Sequence, residues 1–194
     1  KHFPGHGDTA TDSHTGLPLV DKTYEELSKL ELIPFQAAVD NGVDMLMTAH
    51  IQYPQIEKDT VKSIADGSDV YVPATLSDDI IKGVVREKMN FDGVVVTDAM
   101  NMDAIAKNFG EAHAVIMAIQ ADVDICLMPT ILRSKADLSK LDTIISEVKN
   151  AINEGTITED DLNDSVRRIL TLKANRGILD YANDTRTWEE KLEN

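Results

Sequence analysis

The first fourteen residues, Lys1-His2-Phe3-Pro4-Gly5-His6-Gly7-Asp8-Thr9-Ala10-Thr11-Asp12-Ser13-His14, bring three histidines and two aspartates into one loop. Two chemistries are open to such a cluster. His2, His6, Asp8 and His14 could converge on a metal ion, with Asp98 or His50 completing the set and a position left for water. Alternatively, a carboxylate could orient a histidine for acid–base work. Asp12 and His14 offer this, because alternate residues of an extended segment share a side. The loop matches no zinc-ligand spacing, while its glycines and proline fit a backbone that approaches a ligand closely. An Asp-x-His pair is nonetheless common in plain surface loops, so spacing alone leaves both readings standing.

A second acidic residue stands where chemistry is possible. Asp98 follows Val94-Val95-Val96-Thr97, so a carboxylate is exposed just where a buried strand ends. It could instead cap a following helix, where an aspartate is favoured by the free N–H groups and the helix dipole. His50 ends another apolar segment, and it either lines a pocket or holds a loop by hydrogen bonding. His113 falls in a helical stretch and makes no such claim. Met100 and Met102 read chiefly as core filling.

Those residues must be positioned by an alternation of short apolar runs and longer stretches of helical period, which predicts parallel βαβ units. Lys1-His2-Phe3 reads as the end of a first strand, followed by a loop from Pro4 to Pro18. A helix is expected around Tyr24–Asn41, stopped by Asn41-Gly42. A second strand is expected over Asp44–Thr48, then a loop over Ala49–Pro54, an irregular stretch, and a helix from Ser77 to Met89 with Ser77 at its start. The third strand is Gly93–Thr97, whose valines suit a strand buried on both faces. Helical segments from Asp103 to Ala121 lead to a fourth strand at Val123–Met128. Two amphipathic helices follow, Ala136–Glu154 ending at Gly155, and a second opened by the capping signature Thr158-Glu159-Asp160-Asp161 and running to Asn175.

The predicted fold class is α/β of the (β/α)8 type. A closed barrel of that kind takes about 250 residues and eight strands. The chain has 194 residues and four strand–helix units. The expectation is therefore the C-terminal half of a barrel catalytic domain over residues 1–180, with a polar tail or linker at 181–194. The partner needed to cover the open strand edges would be the other half of the barrel or a second copy of the chain.

Composition narrows the function classes. With 42% hydrophobic and 27% charged residues the chain is of ordinary globular type. It has no apolar run long enough to span a membrane. A net charge of −15 argues against a nucleic-acid partner, which requires a basic patch. The single cysteine, Cys126, lies in an apolar run and reads as a buried, inert thiol. The compartment is left open between cytoplasm and a secreted or cell-envelope location in a bacterium.

Taken together, Lys-His-Phe-Pro-Gly-His-Gly-Asp-Thr, Asp-Ser-His at 12–14, and Thr-Asp-Ala-Met at 97–100 resemble glycoside hydrolase family 3 in its β-N-acetylglucosaminidase branch. The resemblance extends to Met47-Thr48-Ala49-His50-Ile51, Pro73-Ala74-Thr75-Leu76-Ser77, Phe91-Asp92-Gly93, Leu127-Met128-Pro129 and Arg168-Ile169-Leu170. It implies a barrel enzyme whose nucleophile falls on Asp98 and whose acid/base dyad falls on His14 and Asp12. Lys1 and His2 would contact the sugar, while His6 and Asp8 shape the loop. His50 is placed with the substrate-binding residues. No cofactor and no metal are implied.

The activity implied is retaining, exo-acting removal of terminal N-acetylglucosamine from chitooligosaccharides or peptidoglycan fragments, as in cell-wall recycling. A non-catalytic sugar-binding half-barrel and a metallohydrolase using the histidine loop are the alternatives, and the choice between water and phosphate as acceptor stays open. The chain by itself is expected to be inactive, because the family has sugar-contacting strands ahead of the Lys-His segment. Asp122 also departs from the family, which usually has glycine before its last strand, and this puts the local turn geometry in question.

Overall fold

The computed structural model describes residues 1–9 and 16–179. Its central feature is a run of parallel strand positions in chain order. Strand β1 (Met45–Met47) pairs in parallel with β4 (Val94–Val96), with Met45 opposite Val94, Leu46 opposite Val95 and Met47 opposite Val96. On the outer side of β1, Phe3 bridges Thr48 in parallel, its N–H 2.7 Å from the Met47 carbonyl. On the outer side of β4, Val96 bridges Ile125, also in parallel. The order is thus the Phe3 segment, β1, β4, the Ile125 segment, with helices in each crossover. This is an arc of α/β barrel type, and among the described residues it does not close into a complete barrel.

Burial explains why the valine run sits at the centre. Val94, Val95 and Val96 are 1%, 0% and 7% exposed, so both faces of β4 are covered, as the unbroken apolar run demands. The core around them takes in Phe3, Leu46, Ile51, Ile81, Ile105 and Val123. Gly93 enters this strand where a side chain has no room. A Cβ there would lie 2.4 Å from the Phe91 ring and 2.8 Å from the Asp44 carbonyl.

Four expectations require correction. The helix foreseen over Tyr24–Asn41 is two helices, α1 (Tyr24–Leu27) and α2 (Leu32–Asp40). The break places Pro34 in the first turn of α2, where its missing N–H costs no bond; one continuous helix would have put it in the interior. The stretch expected to be irregular contains a hairpin, β2 (Thr60–Lys62) antiparallel to β3 (Asp69–Tyr71). Its turn is closed by Asp66 accepting the Ser68 N–H at 2.9 Å and by Gly67 at φ 75°. The helix expected over Ser77–Met89 is wound wide over Asp79–Lys88. Its last bond runs from Met89 N–H five residues back to the Val84 carbonyl, a π-type pattern; Ser77 does cap its start, accepting the Ile80 N–H at 3.1 Å. Finally, the strand foreseen over Val123–Met128 reduces to the bridge at Ile125, because Asp122 (φ 72°) and Met128 (φ 47°) turn the chain at both ends.

The remaining helices follow the sequence closely. They are α3 (Asp103–Ala106), α4 (Glu111–Gln120), α5 (Leu138–Asn153) and α6 (Glu159–Asn175). Thr158 and Asp161 form the capping box of α6, and Gly155 leaves α5 at φ 74°.

An ion network locks the amino-terminal end of the arc. Arg86 donates to the Asp122 carboxylate (2.8 Å), to Asp124 (3.0 Å) and to the Gly93 carbonyl (2.6 Å). Arg168 of α6 donates to Asp124 at 2.7 Å and to Asp122, and Asp124 also accepts the Val95 N–H at 2.7 Å. Asp122 therefore adopts the left-handed conformation that glycine would take, and its side chain ties two arginines together. Aspartate tolerates this conformation better than most residues.

Candidate functional site

Strands of a parallel arc deliver side chains to their carboxyl ends, and here those ends carry His2, Thr48 to His50, Asp98 and Leu127 to Met128. Asp98 leaves β4 partly exposed, its side chain 21% accessible. One carboxylate oxygen, Oδ1, accepts the Ala99 N–H at 2.7 Å. The other, Oδ2, lies 3.7 Å from His2 Nε2. The expected nucleophile and one expected sugar contact thus face each other over the intervening strand β1.

The electrostatics of His2 come from competing neighbours. Burial holds its imidazole below the ordinary histidine pKa, the Asp98 carboxylate draws it up, and the Lys1 ammonium pushes it down. Lys1 and His2 also share a cavity of about 450 Å3 with Gly5, His6, Glu31 and Phe35.

Asp12 and His14 lie outside the described residues. What the structure does describe are the stems on either side of them. On the leading stem, the buried Tyr53 hydroxyl donates to the Gly5 carbonyl at 2.6 Å. Lys22 bridges Asp8 and Glu31. His6 Nδ1 meets Thr9 Oγ1 at 2.8 Å. On the trailing stem, Gln52 N–H donates to the Pro18 carbonyl at 2.9 Å, and its side chain reaches the Leu17 carbonyl at 3.2 Å. The neighbouring residues Gln52 and Tyr53 therefore hold both stems. Neither stood out in the sequence; the run Ile51-Gln52-Tyr53-Pro54 gave only a composition typical of a loop.

His50 is 1% exposed, with both ring nitrogens hydrogen-bonded within the protein. Nδ1 is 2.9 Å from Thr75 Oγ1, and Nε2 is 3.0 Å from the Ala99 carbonyl. Met100 is buried at 2% exposure. Burial pushes the Cys126 thiol up to about 12, which makes it a poor nucleophile. Among the described residues, no three His, Cys, Asp or Glu side chains converge as a metal site would require, so His2 and Asp98 form a pair only. No described helix is long and apolar enough to cross a membrane.

An acidic residue at the carboxyl end of a buried strand, in an arc of parallel βα units, is the arrangement in which barrel enzymes place catalytic groups. Comparison with known proteins makes the class definite. The chain belongs to glycosyl hydrolase family 3: the profile of the "Glycosyl hydrolase family 3 N terminal domain" matches residues 1–172. A β-hexosaminidase A of Pseudoalteromonas piscicida is 38% identical over 174 residues, covering 89% of this chain and 29% of that protein. A family 3 β-N-acetylglucosaminidase of Paenibacillus sp. str. FPU-7 superposes with a TM-score of 0.78 at 37% identity, over 92% of this chain and 31% of that one. Zinc-bound CbsA of Thermotoga neapolitana does so with a TM-score of 0.73 at 37% identity, over 90% of this chain and 35% of that one. The chain thus spans about three-tenths of the length of the first two relatives.

Proposed function

We propose that the protein is a retaining β-N-acetylglucosaminidase whose nucleophile is Asp98, and that the four strand positions are one arc of an eight-stranded barrel. The observation that carries this reading is Asp98 itself, at the mouth of the arc with Oδ1 held by the Ala99 N–H and Oδ2 turned toward His2. The names of the relatives support an amino-sugar substrate.

In the first step an Asp98 oxygen attacks the anomeric carbon and forms an ester bond as the glycosidic C–O bond breaks. Protonated His14 donates its proton to the departing oxygen. In the second step neutral His14 takes a proton from water, the water oxygen attacks the same carbon, and the ester bond breaks to free the Asp98 carboxylate. Asp12 orients the His14 ring and favours its charged form, while Lys1 and His2 bind the sugar. Histidine suits this double duty because its ordinary pKa lies near neutrality.

The test is covalent trapping. A fluorinated glycosyl inactivator should leave its label on Asp98 of the full-length protein, read by mass spectrometry of the digested enzyme; a label on another residue would remove the assignment. A metal-dependent reading has one observation behind it, the zinc-bound relative from Thermotoga neapolitana. His2 and Asp98 would supply two ligands, with the remainder coming from beyond the described residues. Turnover that persists undiminished in chelator separates the two.

A further inference from the structure

The burial of His50 removes it from the surface a sugar could touch and gives it another task. Its Nε2 faces the Ala99 carbonyl at 3.0 Å, and because a carbonyl oxygen only accepts, that nitrogen carries the proton. The residue so held is the one that follows Asp98 and donates its own N–H to Asp98 Oδ1 at 2.7 Å. Both backbone polar groups of Ala99 are therefore engaged, one by the carboxylate and one by the imidazole.

The other side of the ring is fixed just as firmly. Nδ1 accepts from Thr75 Oγ1 at 2.9 Å; that hydroxyl's single hydrogen is shared between Nδ1 and the Ala49 carbonyl, also 2.9 Å away, and the hydroxyl oxygen accepts from Thr48 Oγ1 at 2.9 Å. Thr48 and Thr75 are fully buried. The chain of bonds runs from the carboxyl end of β1, through the 3-10 turn at Ala74–Leu76, to the residue behind the carboxylate. Two further bonds, Met102 N–H to the Ala99 carbonyl at 3.1 Å and Met100 N–H to the Leu127 carbonyl at 2.9 Å, shape the same turn. Neither comes from β1.

We infer that His50 is a positioning residue for Asp98, setting the carboxylate against the neighbouring strand through the Ala99 carbonyl, and that it is not a sugar contact. This rests on the reading of Asp98 as nucleophile. A carboxylate that must meet an anomeric carbon in line is sensitive to small displacements, and an error of about 1 Å can cost on the order of 100-fold in rate.

Two conservative variants of the full-length protein separate the ends of the ring. His50→Gln puts an amide N–H near the place of Nε2, within reach of Ala99. His50→Asn puts one near Nδ1, on the Thr75 side only. The rate at which the fluorinated inactivator labels Asp98 is the readout, with kcat, KM and melting temperature measured beside it. The expected result is near wild-type labelling for His50→Gln, and labelling slowed about 10- to 100-fold for His50→Asn with KM little changed. Equal rates in the two variants, a change confined to KM, or loss of the fold in His50→Asn would overturn the inference. A wild-type label on a residue other than Asp98 overturns the nucleophile reading itself; the unmutated protein alone reveals that outcome, so the two failures are told apart.

Discussion

Asp98 and His2 are coupled through 3.7 Å of space, and the coupling is measurable in both directions. Asp98→Asn should lower kcat by on the order of 10^4 or more if the carboxylate is the nucleophile. It should also change His2. The carboxylate is what draws the His2 pKa upward against burial, so its removal lets that pKa fall further, a shift an NMR titration of the imidazole would read. The consequence for stability has a definite sign. A histidine whose folded pKa lies below its ordinary 6.5 weakens the fold as the pH drops from 6.5 toward the lowered value. In Asp98→Asn the loss extends to lower pH.

The same scale governs the ion network at the opposite end of the strands. The Asp124 side chain is fully buried and shared by Arg86 and Arg168. Arg168→Leu removes one partner of a buried pair and should destabilise the fold by roughly 3–5 kcal/mol, measured by denaturant unfolding. Activity per folded molecule should be unaffected, since this end of a barrel contributes stability.

Among the elements, the wide helix Asp79–Lys88 carries a titratable group at its root. Ser77, which caps it, donates to Glu57 at 2.6 Å, and Glu57 is 3% exposed. Burial raises the Glu57 pKa, while the bonds from Ser77 and the Asp59 N–H oppose it. A carboxyl raised in the fold stabilises it fully below the ordinary value of 4.5, and that contribution is lost as the pH climbs through the raised value. Glu57→Gln should abolish this dependence, so melting curves of the two proteins should diverge at neutral pH in favour of the variant.

The elements also show what a sequence exposes and what it hides. The valine strand, the Thr158 capping box and the Gly155 stop are local signals, and each appears where its residues predict. The break between α1 and α2 was hidden because the apolar spacing runs on through it, with Leu27 and Leu32 buried on either side, and Pro34 alone marks the change. The β2–β3 hairpin was hidden because its strands are three residues each, too short to show alternation. At the site, Asp98 was legible from its place after a buried run. The jobs of His50, Gln52 and Tyr53 were not, because hydrogen bonds between side chains and distant carbonyls leave no periodic trace.

Among the described residues the arc is open at both flanks and leaves apolar side chains exposed there, Met45 (38%) beside the Lys1–His2 segment and Met128 (52%) and Leu132 (48%) beyond the Ile125 bridge. Exposed apolar strand edges favour association, and a charge of −15 opposes it. The balance should tip with salt, because the Debye length shrinks to about 10 Å at 0.1 M and about 3 Å at 1 M. Sedimentation of the 1–194 chain should therefore show self-association that grows with ionic strength; a monomer at every salt concentration would show that the flanks are not adhesive.

The grip of Gln52 and Tyr53 on the Leu17–Pro18 and Gly5 carbonyls has a consequence for how such a protein can be altered. With both stems tied to one short strip, the strip sets the span that any sequence joining Thr9 to Gly16 has to bridge, and residues around the proposed dyad can be exchanged against that fixed span as long as Asp12 and His14 are kept. An insertion within Ala49–Tyr53 would instead shift both stems together. Designers seeking new leaving-group tolerance should vary the residues around Asp12 and His14, keep that pair, and leave the strip untouched.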